Sequence, residues 1–285
     1  MPARVSKRER KNSCGLTCRF AYREGVDMSR LSERLARVRK SSGSIGFGFE
    51  AARADARRML VLPVLDDVPS GDTADGIRDR ADGIVFQHNP GEGEKSFHAI
   101  EKEFPNVPVG LRLAGPDFDE RALVDGSDFV LCTFDAPLSI LSLSSTGVLV
   151  EQDAGTEASR LRALSDLGME GVVVTSESLA LRSLSAAVEC RRVRAMTGCP
   201  VLVKVLEPLS PAAVTGLWKA GVDGLITDAG GGIDLLVSVR DSVDQAKLDT
   251  QTTQTGFAVS IGNQLGRASE ATEDETGEDD DCDDE

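Results

Sequence analysis

The sequence has few aromatic residues and no long apolar run. The first shortage excludes a core built from aromatic side chains, and the second excludes a membrane-spanning helix. Aromatic residues make up 4% of the 285 residues, so a core has to be filled mainly by aliphatic side chains. No apolar run approaches the roughly 18 residues that a membrane-spanning helix needs. The N-terminus also lacks the apolar segment of a signal peptide. We therefore expect a cytoplasmic protein without a membrane span.

Cysteine and histidine are too sparse and too scattered to indicate a metal site. The chain has six cysteines and two histidines, His88 and His98. Cys14 and Cys18 lie four residues apart in a basic segment, but a structural zinc site takes four such ligands. Scattered cysteines are typical of a reducing compartment rather than of a disulfide framework. The sequence therefore predicts no metal.

The net charge of −15 is unevenly distributed. Residues 1–40 contain 12 Lys/Arg and 4 Asp/Glu, whereas residues 270–285 contain 11 acidic residues and no basic one. We interpret residues 1–27 as a basic disordered extension upstream of Met28; the alternative is a contact of this region with an anionic surface or with nucleic acid. Residues 247–285 are interpreted as a polar linker and a disordered acidic tail. Because the body between them is acidic and repels phosphates, we expect no DNA or RNA partner.

Short apolar runs alternate with helix-compatible segments between the two termini. This alternation is typical of parallel βαβ units with buried strands, and eight strands predict a closed (β/α)8 TIM barrel over residues 28–246, with a covering helix at its N-terminus. An open doubly wound sheet is the competing interpretation, but no GxGxxG motif follows the first strand. The predicted strands are Met59–Leu65, Gly83–Gln87, Val107–Leu113, Asp128–Thr133, Gly147–Glu151, Gly171–Thr175, Pro200–Val205 and Val222–Thr227. The clearest predicted helices between them are Lys95–Phe104, Asp117–Val124, Ala154–Leu167, Leu179–Thr197 and Pro211–Ala220.

Two segments resemble a known superfamily, CPVLVKV at 199–205 and AGVDGLITDAGGG at 220–232. They are similar to the last third of aldolase-type TIM barrels that bind flavin or phosphate, such as nitronate monooxygenases and inosine monophosphate dehydrogenases, and to uncharacterised bacterial barrels. The resemblance implies that Gly230, Gly231 and Gly232, with Asp228, bind a phosphate or flavin mononucleotide (FMN). The sequence departs from the pattern after strand 7, where Leu206-Glu207-Pro208 replaces the usual glycine pair.

Charged residues inside three of the predicted strands are the candidate catalytic groups. In TIM barrels the active site lies at the C-terminal ends of the strands, and Arg112, Glu151 and Lys204 lie near three such ends. In the functional interpretation Lys204 is a Schiff-base amine or an anion anchor, Glu151 an acid or base, and Arg112 a carboxylate or phosphate ligand. In the structural interpretation the three form a satisfied ion cluster, because a buried charge is costly unless it is paired.

Two hypotheses for the function follow, and the sequence does not decide whether the protein is an enzyme. The first is a barrel that binds or transforms a small anionic metabolite, bearing a phosphate or a carboxylate, at its strand ends. The second is a catalytically silent barrel that serves as a binding or interaction module. The substrate, the use of FMN and the oligomeric state stay open.

Overall fold

The computed structural model describes residues 29–41, 58–87, 93–113, 127–143, 146–175, 180–230 and 232–248. The predicted extension at 1–27 and the acidic tail lie outside these residues, as does the helix predicted at Asp117–Val124. Among the described residues, no helix has the length and apolarity required to cross a membrane.

Eight parallel strands form a closed barrel in chain order, which confirms the predicted (β/α)8 fold. Each strand lies within about two residues of its predicted bounds, because strands buried on both faces appear in the sequence as near-continuous apolar runs. They are β1 Leu60–Leu65, β2 Ile84–Gln87, β3 Val109–Arg112, β4 Phe129–Cys132, β5 Gly147–Asp153, β6 Gly171–Thr175, β7 Val201–Val205 and β8 Gly224–Asp228.

Helices alternate with these strands in the described part of the chain. They are α1 Arg30–Ser41, α2 Asp72–Arg80, α3 Gly93–Glu103, α4 Ala158–Asp166, α5 Leu184–Thr197, α6 Pro211–Ala220 and α7 Asp234–Gln245, with a short 3-10 helix at Leu138–Ser142. The predicted start of α6 is confirmed, since the Ser210 hydroxyl accepts the N–H of Ala213 and Pro211 follows. Gly221 ends the same helix in the left-handed conformation, with φ 98°.

Acidic residues mark the entry to every second strand, at the end of the barrel that we call the bottom. Asp82, Asp128, Glu170 and Asp223 precede β2, β4, β6 and β8. The backbone N–H of each donates to the carbonyl of a valine in the preceding strand, and these valines are Val61, Val109, Val148 and Val201. The same corner contact is therefore repeated four times around the barrel. The carboxylates of Asp82 and Asp223 also accept the N–H groups of Val61 and Val201.

Helix α1 covers the bottom of the barrel through its predicted apolar face. Leu31, Leu35 and Val38 are all buried. Asp128 accepts the N–H groups at the start of the helix, from Arg30 and Leu31, at 2.7 and 2.9 Å. Such a carboxylate satisfies otherwise unpaired N–H groups and favours the positive end of the helix dipole. Helix α1 is thus fixed to the entry of β4.

Glu170 makes a second contact with the segment before α1. Its Oε2 accepts the Ser29 hydroxyl at 2.8 Å, and a Cβ atom on residue 147 would collide with this carboxylate. Burial raises the pKa of Glu170, hydrogen bonds from Ser32 and Ser29 oppose the rise, and the charge of Asp128 adds to it. Glycine at the start of β5 therefore makes room for an acid that reaches beneath the barrel.

Alternation along the strands separates side chains that face the barrel axis from those that face the helices. A Cβ atom added at Gly83, Gly171 or Gly224 would meet a leucine of a neighbouring strand, Leu62, Leu149 or Leu202 respectively, so these leucines and glycines share one face of the sheet. The Cβ position of Gly83 also lies 3.5 Å from Leu31 of α1, which covers the bottom of the barrel, so this is the inner face. Residues two apart on a strand point to the same face. We call the end of the barrel opposite α1 the mouth. The strand register identifies which residues at the mouth point inward.

Candidate ligand-binding site at the barrel mouth

Every strand brings a polar residue to an inward position at or next to its C-terminal end. All strands run parallel, so these ends meet at one rim, which is where barrel enzymes place their sites. The inward polar residues, in strand order, are Asp66, Gln87, Arg112, Thr133, Glu151 with Asp153, Thr175, Lys204 and Asp228. The mouth is therefore a ring of hydrogen-bonding and charged groups above an aliphatic interior.

Two of the three predicted catalytic residues contact each other directly. Arg112 donates to Oε2 of Glu151 at 2.9 Å and to Oε1 of Gln87 at 3.2 Å. Glu151 is only 8% exposed, so pairing with the guanidinium offsets much of the cost of burying its charge. We call Gln87, Arg112 and Glu151 the Arg112 cluster. Sequence reasoning placed Gln87 at a strand end but gave it no role.

The electrostatic effect of the cluster extends to β4. Burial raises the pKa of the Cys132 thiol to about 12, and the charge of Glu151 contributes to the rise. The thiol donates to the carbonyl of Leu149 at 3.5 Å. Cys132 is thus a protonated core residue and not a nucleophile of the mouth.

Lys204, the third predicted residue, is separate from the Arg112 cluster. It lies at an inward position on β7, next to Ile226 of β8 in the strand register, and is partly buried. Its amine forms neither a hydrogen bond nor an ion pair with any residue that the structure describes. Of the two cations that the described residues place at the mouth, one is therefore paired and one is not.

The glycine-rich turn after β8 is closely associated with β1. The N–H of Gly230 donates to Oδ1 of Asp228 at 3.0 Å, and the N–H of Gly232 donates to the carbonyl of Ala229 at 3.1 Å. Gly231 lies outside the described residues. A Cβ atom on residue 230 would collide with Oδ2 of Asp66 and would lie 3.4 Å from Oδ1 of Asp228. Glycine is required at position 230 because two carboxylates approach its backbone.

No group of three or more His, Cys, Asp or Glu side chains arranged to hold a metal ion occurs among the described residues. His88 is not among them. His98 lies on the exposed side of α3 and contacts Oε2 of Glu101 at 3.3 Å. The structure thus offers no histidine at the mouth within its described part.

A separate groove of about 420 Å³ lies outside the barrel between α5 and α6. Its lining includes Leu184, Ala187, Ala213 and Gly216. Arg182, at its edge, donates to the carbonyl of Pro208 at 2.6 Å. The groove is mostly aliphatic and contains none of the charged residues of the mouth.

Fold and mouth together define a (β/α)8 TIM barrel with polar strand ends. No protein-family model matches the sequence, and no curated protein matches it. A mutant tryptophan synthase α-subunit from Pyrococcus furiosus superimposes with a TM-score of 0.51 at 14% identity, covering 65% of this chain and 96% of that chain. The 3-hexulose-6-phosphate synthase from Salmonella typhimurium gives a TM-score of 0.49 at 17% identity, covering 66% and 99% of the two chains. The likeness to the tryptophan synthase subunit shows the fold alone.

Proposed function

We propose that the protein binds and transforms a small anionic metabolite at the barrel mouth, with Lys204 as its main charge contact. The observation that supports this proposal is the amine of Lys204, which has no partner among the described residues, whereas Arg112, the other cation that they place at the mouth, is paired. A partly buried lysine without a partner is costly, and a bound anion supplies the missing partner. The position at the strand ends is where barrels of this architecture bind their ligands.

The Arg112 cluster supports the same ligand from the opposite side of the mouth. Glu151 and Gln87 each occupy one N–H of the guanidinium, which has five donors, so the remaining donors can reach a ligand oxygen. Because two acceptors hold the guanidinium plane, little side-chain entropy is lost when a ligand binds. We propose Arg112 as a ligand contact, and Glu151 as the acid or base that exchanges a proton with the bound metabolite.

Lys204 also suits carbonyl chemistry. In its neutral form the amine adds to a carbonyl carbon, and loss of the carbonyl oxygen as water leaves a Schiff base. Protons needed for the loss of water would pass through Glu151 or solvent. Borohydride reduces such an imine to a stable secondary amine, which makes the step detectable.

The test is to titrate the full chain with small carboxylates and phosphates by calorimetry, in the wild type and in Lys204→Met. Lys219→Met is the matched control, because Lys219 is an exposed lysine on α6. Binding that is lost in Lys204→Met and kept in Lys219→Met supports the proposal. Equal binding by both variants, or no binding by the wild type, contradicts it. Borohydride trapping with a 2-oxo acid, followed by peptide mass spectrometry, tests the Schiff base separately.

A catalytically silent binding module is the second candidate function. The observation that favours it is the mutual neutralisation of Arg112 and Glu151, which is also what a purely structural pair requires. An absorbance spectrum and mass spectrometry of a denatured extract separate the two candidates. A co-purifying metabolite that is lost in Lys204→Met supports the ligand-binding barrel. A wild-type protein that retains no metabolite supports the catalytically silent binding module.

A further inference from the structure

We infer that the anionic group recognised at the mouth is a carboxylate and not a phosphate, and that it binds on the Lys204 side and not on the glycine-rich turn. This inference rests on the proposed function and narrows it to one substrate class. It follows from three features of the mouth: the N–H groups of the turn, the carboxylates around that turn, and the one cation that has no partner within the described part of the chain.

Two N–H groups of the glycine-rich turn are already used within the chain. A phosphate cradle depends on several backbone N–H groups that point at the ligand without other acceptors. Here the N–H of Gly230 is donated to Asp228 at 3.0 Å and that of Gly232 to Ala229 at 3.1 Å. Two of the three glycines that the sequence resemblance assigned to phosphate therefore already have their hydrogen bonds within the chain.

Carboxylates surround the same turn. Asp66 lies against Gly230, Asp228 accepts its N–H, and Asp234 occupies the first turn of α7. Neither Asp66 nor Asp228 pairs with a cation among the described residues. A phosphate monoester carries a charge of about −1.5 to −2 near neutral pH, so these groups repel it. The phosphate of FMN meets the same obstacle, and the turn does not fit it.

The charge available to an anion is correspondingly small. Lys204 contributes one positive charge without a partner, while that of Arg112 is offset by Glu151. Asp66, Asp153 and Asp228 add negative charge to the rim. A single lysine is matched by the single charge of a carboxylate, whereas a dianion at this mouth leaves excess negative charge facing Asp66 and Asp228.

The inference is tested with a pair of ligands that differ in the anionic group, glycerate and glycerol 3-phosphate. Calorimetry compares the wild type with the double variant Asp66→Asn, Asp228→Asn. We expect the wild type to bind glycerate at least about tenfold more tightly. We expect the double variant to bind glycerol 3-phosphate about tenfold more tightly for each carboxylate removed, which lies between the Coulomb limits for water and for a protein surface. Asp241→Asn, at an exposed site on α7, is the control and is expected to change neither affinity.

The possible results separate the inference from the proposed function. Tighter binding of glycerol 3-phosphate by the wild type, or a double variant without any gain for it, overturns the inference while the mouth remains a binding site. Binding of neither ligand by the wild type, or binding that persists in Lys204→Met, overturns the proposed function and the inference with it. A gain of affinity in the double variant is informative even if the substitutions change stability, because misfolding does not create binding.

Discussion

The amide of Gln152 gives the sharpest test of the energetics of this barrel. Gln152 follows Glu151 on β5 and therefore faces the helices, where it is 2% exposed. Neither its Oε1 nor its Nε2 has a hydrogen-bond partner among the residues that the structure describes. A buried polar group left without a partner costs about 1–3 kcal/mol, so removing both of these groups relieves a penalty.

Replacing Gln152 with Met is expected to stabilise the protein. The side chains are of similar length, and volume-conserving swaps in a core cost less than about 1.5 kcal/mol. Against the relief of two unpaired polar groups, we expect a net gain of about 2 kcal/mol in the free energy of unfolding. For a domain of this size that corresponds to a rise of about 4–8 °C in Tm. Urea titration and calorimetry measure the two quantities.

The same substitution at Gln87 is the matched control. Its amide oxygen accepts a hydrogen bond from Arg112 at 3.2 Å, so Gln87→Met is expected to give no gain and to cost about 1 kcal/mol. If Gln152→Met were instead less stable than the wild type by more than about 1 kcal/mol, the amide would have hydrogen-bond partners in solution, and the argument from unpaired polar groups would fail.

Three further predictions concern buried charges and thiols. Arg240→Met removes the cation 3.0 Å from the buried Asp82 carboxylate and is expected to lower the free energy of unfolding by about 3–5 kcal/mol in urea titrations. Burial raises the pKa of Glu170, so the stability that this carboxyl group contributes is present below its ordinary pKa and is lost as the pH rises through the raised pKa. In Glu170→Gln the free energy of unfolding is therefore expected to depend less on pH between the ordinary and the raised pKa. Burial raises the pKa values of Cys132 and Cys190 to about 12, so iodoacetamide is expected to label them only after unfolding, as read by peptide mass spectrometry.

Each of these predictions has a control or a contrary result. Arg37→Met removes an exposed pair with Glu33 and is expected to cost less than about 1 kcal/mol. A Glu170→Gln protein with the pH dependence of the wild type would contradict the assignment to that carboxyl group. Alkylation of Cys190 in the folded state, at the rate seen for an unfolded chain, would contradict its burial.

The strands could be predicted because a strand that is buried on both faces appears in the sequence as a near-continuous apolar run. Val172, Val173 and Val174, for example, can only be a buried strand in a chain with turn signals on both sides. Helix α2 is not among the clearest predicted helices, since its segment has little apolar periodicity. In the structure only Ala74 and Ile77 of this helix are buried. Two apolar positions are too few to distinguish the sequence of a helix from that of a polar loop.

The site could be predicted in its residue types but not in its partnerships. A charge in a buried strand needs a partner, and this reasoning led to Arg112 and Glu151, which are joined in the structure at 2.9 Å. The contact between Asp66 and Gly230 and the role of Gln87 had no comparable signal. Such contacts depend on the stagger between neighbouring strands, which determines which side chains meet at the rim. The sequence of one strand alone does not predict this stagger.

The acids at the bottom of the barrel have a consequence for how the chain can be divided. The N–H of each acid binds a valine of the strand before it, so the same acid–valine contact recurs in four strand pairs. The carboxylates of Asp82 and Asp223 accept the N–H groups of Val61 and Val201, and they also pair with Arg240 of α7 and Arg194 of α5. Those of Asp128 and Glu170 bind the segment around the start of α1. A break introduced before β3, β5 or β7 leaves every valine contact intact, whereas a break before β4, β6 or β8 separates an acid from its valine. We therefore expect fragments divided before β3, β5 or β7 to reassemble more readily than fragments divided before β4, β6 or β8.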